Sequence, residues 1–165
     1  EKNEQHAFEY CKAAADRGNC AALHNMGCNY LEGRIVAKDP ELALRYFSSA
    51  AKKGYVASMH NSAYVVDMGI GVEADGELAL RRYKWAYDNG HNQSANNIGV
   101  YFMSGKHVNP DVHQAQQWFE KGAASGDEYA KRNLAKLKEL RNSNKSLTFS
   151  DFRKYANIWL NGGIF

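Results

Sequence analysis

Four glycines, Gly18, Gly54, Gly90 and Gly126, stand 36 residues apart without drift. The chain has 14 glycines in 165 residues, so three further matches at one fixed offset carry odds of roughly 0.0006. The same offset aligns Asn25, Asn61, Asn97 and Asn133, and it aligns Ala7, Ala43, Ala79 and Ala115. Asp39, Asp75 and Asp111 follow it, with Asn3 one period earlier, as do Gly33, Gly69 and Gly105, then Val36, Val72 and Val108. A period of this length excludes a single irregular globule. Each unit is a supersecondary element that buries its apolar face only on its neighbours.

Within one unit the spacing predicts two helices. From about residue 21 to 32, Ala22, Met26, Gly27 and Tyr30 recur at helical intervals. The position of Gly27, Ala63, Gly99 and Ala135 stays small, so that a neighbouring helix can approach. Gly33 and its equivalents end this helix A as left-handed caps. Asp39, Asp75 and Asp111 are placed as N-caps of a helix B, and Pro40 takes the first helical position, where its missing N–H is not needed. Helix B carries Ala43, Tyr46, Phe47 and Ala50, or Ala115, Trp118, Phe119 and Gly122 two units on, and Gly54 with its equivalents closes it.

The array is therefore expected over 1–141. It comprises a half repeat at 3–19 capped by Asn3, full repeats at 20–55, 56–91 and 92–127, and a half repeat at 128–141 in which Arg141 replaces the terminating Gly. Its upstream edge lacks the partner helix, which reads as repeats removed or never present. Residues 142–165 form a polar connection and then an amphipathic helix marked by Phe149, Phe152, Ala156, Trp159 and Leu160, stopped by Gly162 and Gly163. That helix is expected to cap the last repeat, with Phe152 and Trp159 buried; a partner-gripping segment is the alternative.

Composition narrows the function. The net charge is +3, with 12% aromatic and 24% charged residues, and no apolar run is long enough for an integral membrane segment. Residues 131–154 hold eight Lys or Arg against two acids, leaving 13 basic and 16 acidic residues elsewhere. The body is slightly acidic, which disfavours nucleic acid as a partner. Cys11, Cys20 and Cys28 are odd in number and spaced nine and eight apart, so they match neither a closed disulfide framework nor a CxxC site. A Cys11–Cys28 bridge stays open, although Cys11 aligns with Phe47, Tyr83 and Phe119, which makes it a core thiol. The chain starts at Glu1 without a Met or a signal-like segment, which reads as a processed or excised form. Export, to a bacterial periplasm or an endoplasmic-reticulum lumen, is preferred to the cytoplasm.

The residues resemble the Sel1-like repeats, relatives of tetratricopeptide repeats. The family pattern is matched by Ala22, Met26-Gly27, Tyr30, Gly33, Val36, Asp39, Ala43, Tyr46, Ala50-Ala51 and Gly54. It recurs as Ile98-Gly99, Phe102, Gly105, Val108, Asp111, Ala115, Trp118, Ala123 and Gly126. The middle unit keeps Gly69-Ile70-Gly71-Val72 but has Ala63 for Gly, Val66 for Tyr and Tyr87 for Ala. The resemblance implies an all-α, right-handed α-solenoid of helix-turn-helix repeats and no enzyme chemistry. It implies adaptors that hold other proteins. A cysteine-rich branch of the family, associated with β-lactam binding, pairs Cys at positions that are Ala15, Ala51, Tyr87 and Ala123 here, so that activity does not carry over.

No P-loop, GxGxxG, GxSxG or HExxH occurs, and neither a catalytic residue nor a cofactor is expected. His24 and His60 are a full repeat apart, which is too far for a shared metal, so no metal site is expected. What remains is the Asn column. At about 100° per residue, Asn25 lies at the edge of the apolar stripe. His24, Cys28 and Leu31 share the more exposed face with His60, Tyr64, Asp67, Asn96, Val100 and Met103. In tetratricopeptide relatives this helix lines the concave groove. Asn25, Asn61, Asn97 and Asn133, with His24, His60, Asn96, Tyr64 and Asp67, are therefore the candidate partner-binding residues. An amide can pair with both N–H and C=O of an extended peptide; alternatively the column ties helices together. The expected function is a non-catalytic adaptor for a protein or extended peptide. A dedicated inhibitor or immunity protein is the alternative, an RNA-binding helical repeat the third, and the oligomeric state is open.

Overall fold

The structure, a computed structural model, describes residues 2–105 and 108–143. Among these residues there are helices and no strands: α1 (Lys2–Asp16), α2 (Cys20–Glu32), α3 (Pro40–Lys52), α4 (Val56–Met68), α5 (Gly76–Asp88), α6 (Ser94–Ser104), α7 (Val112–Ala124) and α8 (Glu128–Ser143). The chain divides into two compact units, Glu1–Arg82 and Tyr83–Phe165. The expected tail helix, with Phe152 and Trp159, lies outside the described residues.

In the first unit each helix packs on the next, α1 on α2, α2 on α3 and α3 on α4. The helix A caps are as expected: Gly33 and Gly69 adopt φ of 71° and 63°, a left-handed conformation that closes the last turn at little cost only without a Cβ. Asp39 accepts the Leu42 backbone N–H at 2.9 Å, and Asp75 accepts that of Leu78 at 2.9 Å, each holding the first turn of a helix B. Asn3 does not cap α1. The helix already runs from Lys2, which leaves Asn3 inside the first turn rather than in the extended conformation that a cap needs.

The close approach predicted from the small-residue column occurs at Gly27. A Cβ there would stand 2.6 Å from the Phe47 ring, and Phe47 is fully buried. Phe8, Leu23, Met26 and Ala50 belong to a core cluster of this unit, with Tyr30, Val36 and Tyr46 packed on its edge. Cys11 is only half-buried, because the half repeat has no described helix A to cover it; its Sγ donates to the Ala22 carbonyl at 3.5 Å. All three cysteines are free.

The second unit repeats the scheme with α6 on α7 and α7 on α8. Gly105 caps α6 at φ 65°, Asp111 accepts both the His113 and the Gln114 N–H, and a Cβ at Gly99 would stand 2.6 Å from the buried Phe119 ring. Ala135, the last of the small column, is exposed, since no described helix follows α8.

Candidate functional site

The candidate residues all lie on helix A elements, α2, α4, α6 and α8, but most of them do not face solvent. His60, Asn61, Asp67, Asn96, Asn97 and Asn133 are buried, as are Leu31 and Met103. Only Asn25 is exposed, while His24, Tyr64, Cys28 and Val100 are half-buried. The expected exposed face is thereby corrected. A single-stripe argument treats a helix as covered on one side, whereas an inner helix A meets neighbours on several. In the second unit α6 packs on α7 and also touches α8.

The chemistry of that packing is visible at two places. In the first unit His24 Nδ1 lies 2.8 Å from Ser58 Oγ, joining α2 to α4, and its Nε2 lies 3.6 Å from Cys28 Sγ. The His24 ring sits between those of Phe47 and Tyr55, at 5.6 and 4.9 Å. Burial and the nearby Glu32 charge push the Cys28 thiol up to about 11. It stays protonated near neutrality, and the His24 tautomer sets which way the hydrogen bonds to Cys28 and Ser58 run. A sulfur, an imidazole and a hydroxyl in line resemble a nucleophile–base pair, yet a thiol held protonated is the reverse of an activated one. Ser58 was not among the sequence candidates. Its signal was a hydroxyl at Ser58 and Ser94 where Ala22 and Ala130 stand in the outer repeats.

In the second unit Asn133 Nδ2 donates to Asn96 Oδ1 at 2.7 Å, and Asn96 Nδ2 donates to Asn97 Oδ1 at 3.4 Å. Part of the amide column therefore ties helix to helix, the second of its two expected roles. The relay ends at Asn97 Nδ2, which is buried with no hydrogen-bond partner among the described residues. Asn25 escapes because no helix A precedes α2 among the described helices.

Among the described residues no group of three or more His, Cys, Asp or Glu side chains is placed to hold a metal ion, and no helix is long and apolar enough to cross a membrane. The Sel1 repeat family model matches residues 1–19, 20–55, 56–91 and 92–127. A solved Sel1 repeat protein from Oxalobacter formigenes superposes with a TM-score of 0.78 at 28% identity, covering 93% of this chain and 62% of its own. A protective antigen of uropathogenic Escherichia coli with an SLR fold superposes with a TM-score of 0.74 at 21% identity, covering 93% of this chain and 32% of its own. The chain thus spans less than two thirds of either relative. No curated protein matches it. With helix-turn-helix units capped by glycines on a 36-residue period, the family match over most of its length and the same all-α repeat-solenoid fold, the chain belongs to the Sel1 repeat family.

Proposed function

We propose that this chain, like Sel1 repeat proteins generally, is a protein-interaction module without catalytic activity, and that the helix A elements of each unit bind extended segments of a partner protein. In the first unit Asn25 and Tyr64 are the accessible contacts, and in the second Asn97 is a donor held in reserve. The observation that supports this reading is the spare Asn97 N–H. A buried donor without an acceptor costs about 1–3 kcal/mol, and a partner carbonyl that reaches it recovers much of that.

The test has two stages. A photo-crosslinking residue at position 64, and as a control at exposed position 120 on the helix B element α7, identifies a partner in extract of the source organism. The purified partner is then titrated against Asn97→Leu. Affinity is expected to fall about tenfold while the melting temperature changes little, because Leu removes an unsatisfied donor but also takes the Oδ1 acceptor away from Asn96 Nδ2. Equal crosslinking at both positions, or unchanged affinity, would refute the assignment.

A further inference from the structure

Three positions that face one another hold rings in one period of the chain and none in the next. In the first, Phe8, Tyr30 and Tyr46 form an aromatic cluster. Phe8 meets Tyr30 edge-on at 6.4 Å, and Tyr30 stacks on Tyr46 at 5.6 Å with only 7° between the rings. One period later the same positions hold Leu44, Val66 and Arg82. All three lack rings, and a cleft of about 500 Å³ stands where α3 meets the middle repeat, lined by these residues with Val72, Leu78 and Asp75. Its volume is that of an ordinary ligand site. The third repeat returns to rings at the two consensus positions, Phe102 and Trp118. At these two positions the departure belongs to the middle repeat.

The walls specify an occupant. Leu44, Val66, Val72 and Leu78 are apolar, which suits a ring. Arg82 Nη1 donates to the Ser62 carbonyl of α4 at 3.2 Å, so the half-buried guanidinium is anchored rather than free to sweep. A fixed guanidinium plane is a stacking surface for an aromatic face. Glu73 and Asp75, both exposed, stand at the rim. Asp75 also caps α5, which fixes its carboxylate in place. Two rim carboxylates beside an apolar pocket call for a ring flanked by positive charge.

We infer that the cleft between Leu44, Val66 and Arg82 is a docking site for an aromatic side chain of a partner protein, flanked in that partner by Lys or Arg. The partner's ring takes the space of the missing tyrosine pair and stacks on Arg82, while its cationic neighbours meet Glu73 and Asp75. The cleft is lined by α3, α5 and the loop before α5, with Val66 contributed by α4, and its test reads these side chains rather than Asn97, so it stands or falls independently of the helix A reading.

The probe is the blocked tripeptide acetyl-Lys-Trp-Lys-amide, followed by NMR of the Leu44, Val66, Val72 and Leu78 methyls and of the Arg82 Nε–H. Saturable shifts confined to these signals are expected, with a Kd of about 1 mM. Acetyl-Lys-Ala-Lys-amide and acetyl-Glu-Trp-Glu-amide should each bind at least about tenfold more weakly. The double variant Val66→Tyr with Arg82→Tyr rebuilds the consensus ring pair. It should keep the melting temperature and lose the shifts, and Leu44→Phe provides a second filling variant should the double one fail to fold. Unchanged binding by a folded filling variant, equal binding of the Ala tripeptide, or shifts elsewhere in the chain would overturn the inference. Free indole binding as tightly as the tripeptide would overturn the protein partner in favour of a small aromatic ligand.

Discussion

Gly99→Ala is the sharpest test of how helix A meets helix B. A methyl at residue 99 would sit 2.6 Å from Phe119 Cε1 and 2.7 Å from Cδ1, and that ring is fully buried. Carbon atoms settle at about 3.5–4.0 Å, so the ring must retreat by roughly 1 Å where there is no free space. Overpacking of this kind costs about 1–3 kcal/mol. Ala gains about 1 kcal/mol over Gly in a helix interior, which leaves the variant between about neutral and 2 kcal/mol less stable. The discriminating quantity is the coupling with Phe119→Leu, where the ring is gone and the helical gain is unopposed. Urea unfolding of the four proteins, followed by circular dichroism, should give a coupling of about 1–3 kcal/mol favouring the pair. A wild-type-background Gly99→Ala that stabilises by about 1 kcal/mol, or a coupling within about 0.5 kcal/mol of zero, would refute the close packing.

Three further outcomes are expected. Asn133→Ala leaves the buried Asn96 Oδ1 without its 2.7 Å donor and should cost about 1–3 kcal/mol in the same assay. His91 is held below its usual value, chiefly by burial. The unfolded chain therefore takes up that proton first, so stability should fall as pH drops below about 6.5 and His91→Gln should flatten this dependence. Cys28, pushed up to about 11 and held against the His24 ring, should react with iodoacetamide at pH 8 at least about tenfold more slowly in the folded than in the urea-unfolded protein.

Much of the fold was readable from single letters, because the residues that matter have no substitute. Gly33, Gly69 and Gly105 mark left-handed caps, Asp39 and Asp111 mark helix starts, and Gly27 and Gly99 mark a ring against a backbone. The candidate site was less readable. Asn25 and Asn97 are the same residue at the same register, yet one is exposed and the other buried, since exposure depends on which helices surround a position and not on its own stripe. The replacement of Tyr by Val66 was visible in the sequence. That it faced Arg82 across an open cleft required the packing of α3, α4 and α5.

The tie from His24 to Ser58 spans 34 residues and that from Asn133 to Asn96 spans 37, each about one period. Within each unit the helices that pack are sequence neighbours or next neighbours. A chain wired this way carries its whole specification for joining two modules inside one period and its successor. Inserting or deleting 36 residues in register therefore cuts one set of ties and remakes an equivalent set, and leaves the other modules untouched. Length becomes a quantity that evolution can change in whole steps, and the two solved relatives, both longer than this chain and alike in fold over 93% of it, are what such stepwise growth would leave behind.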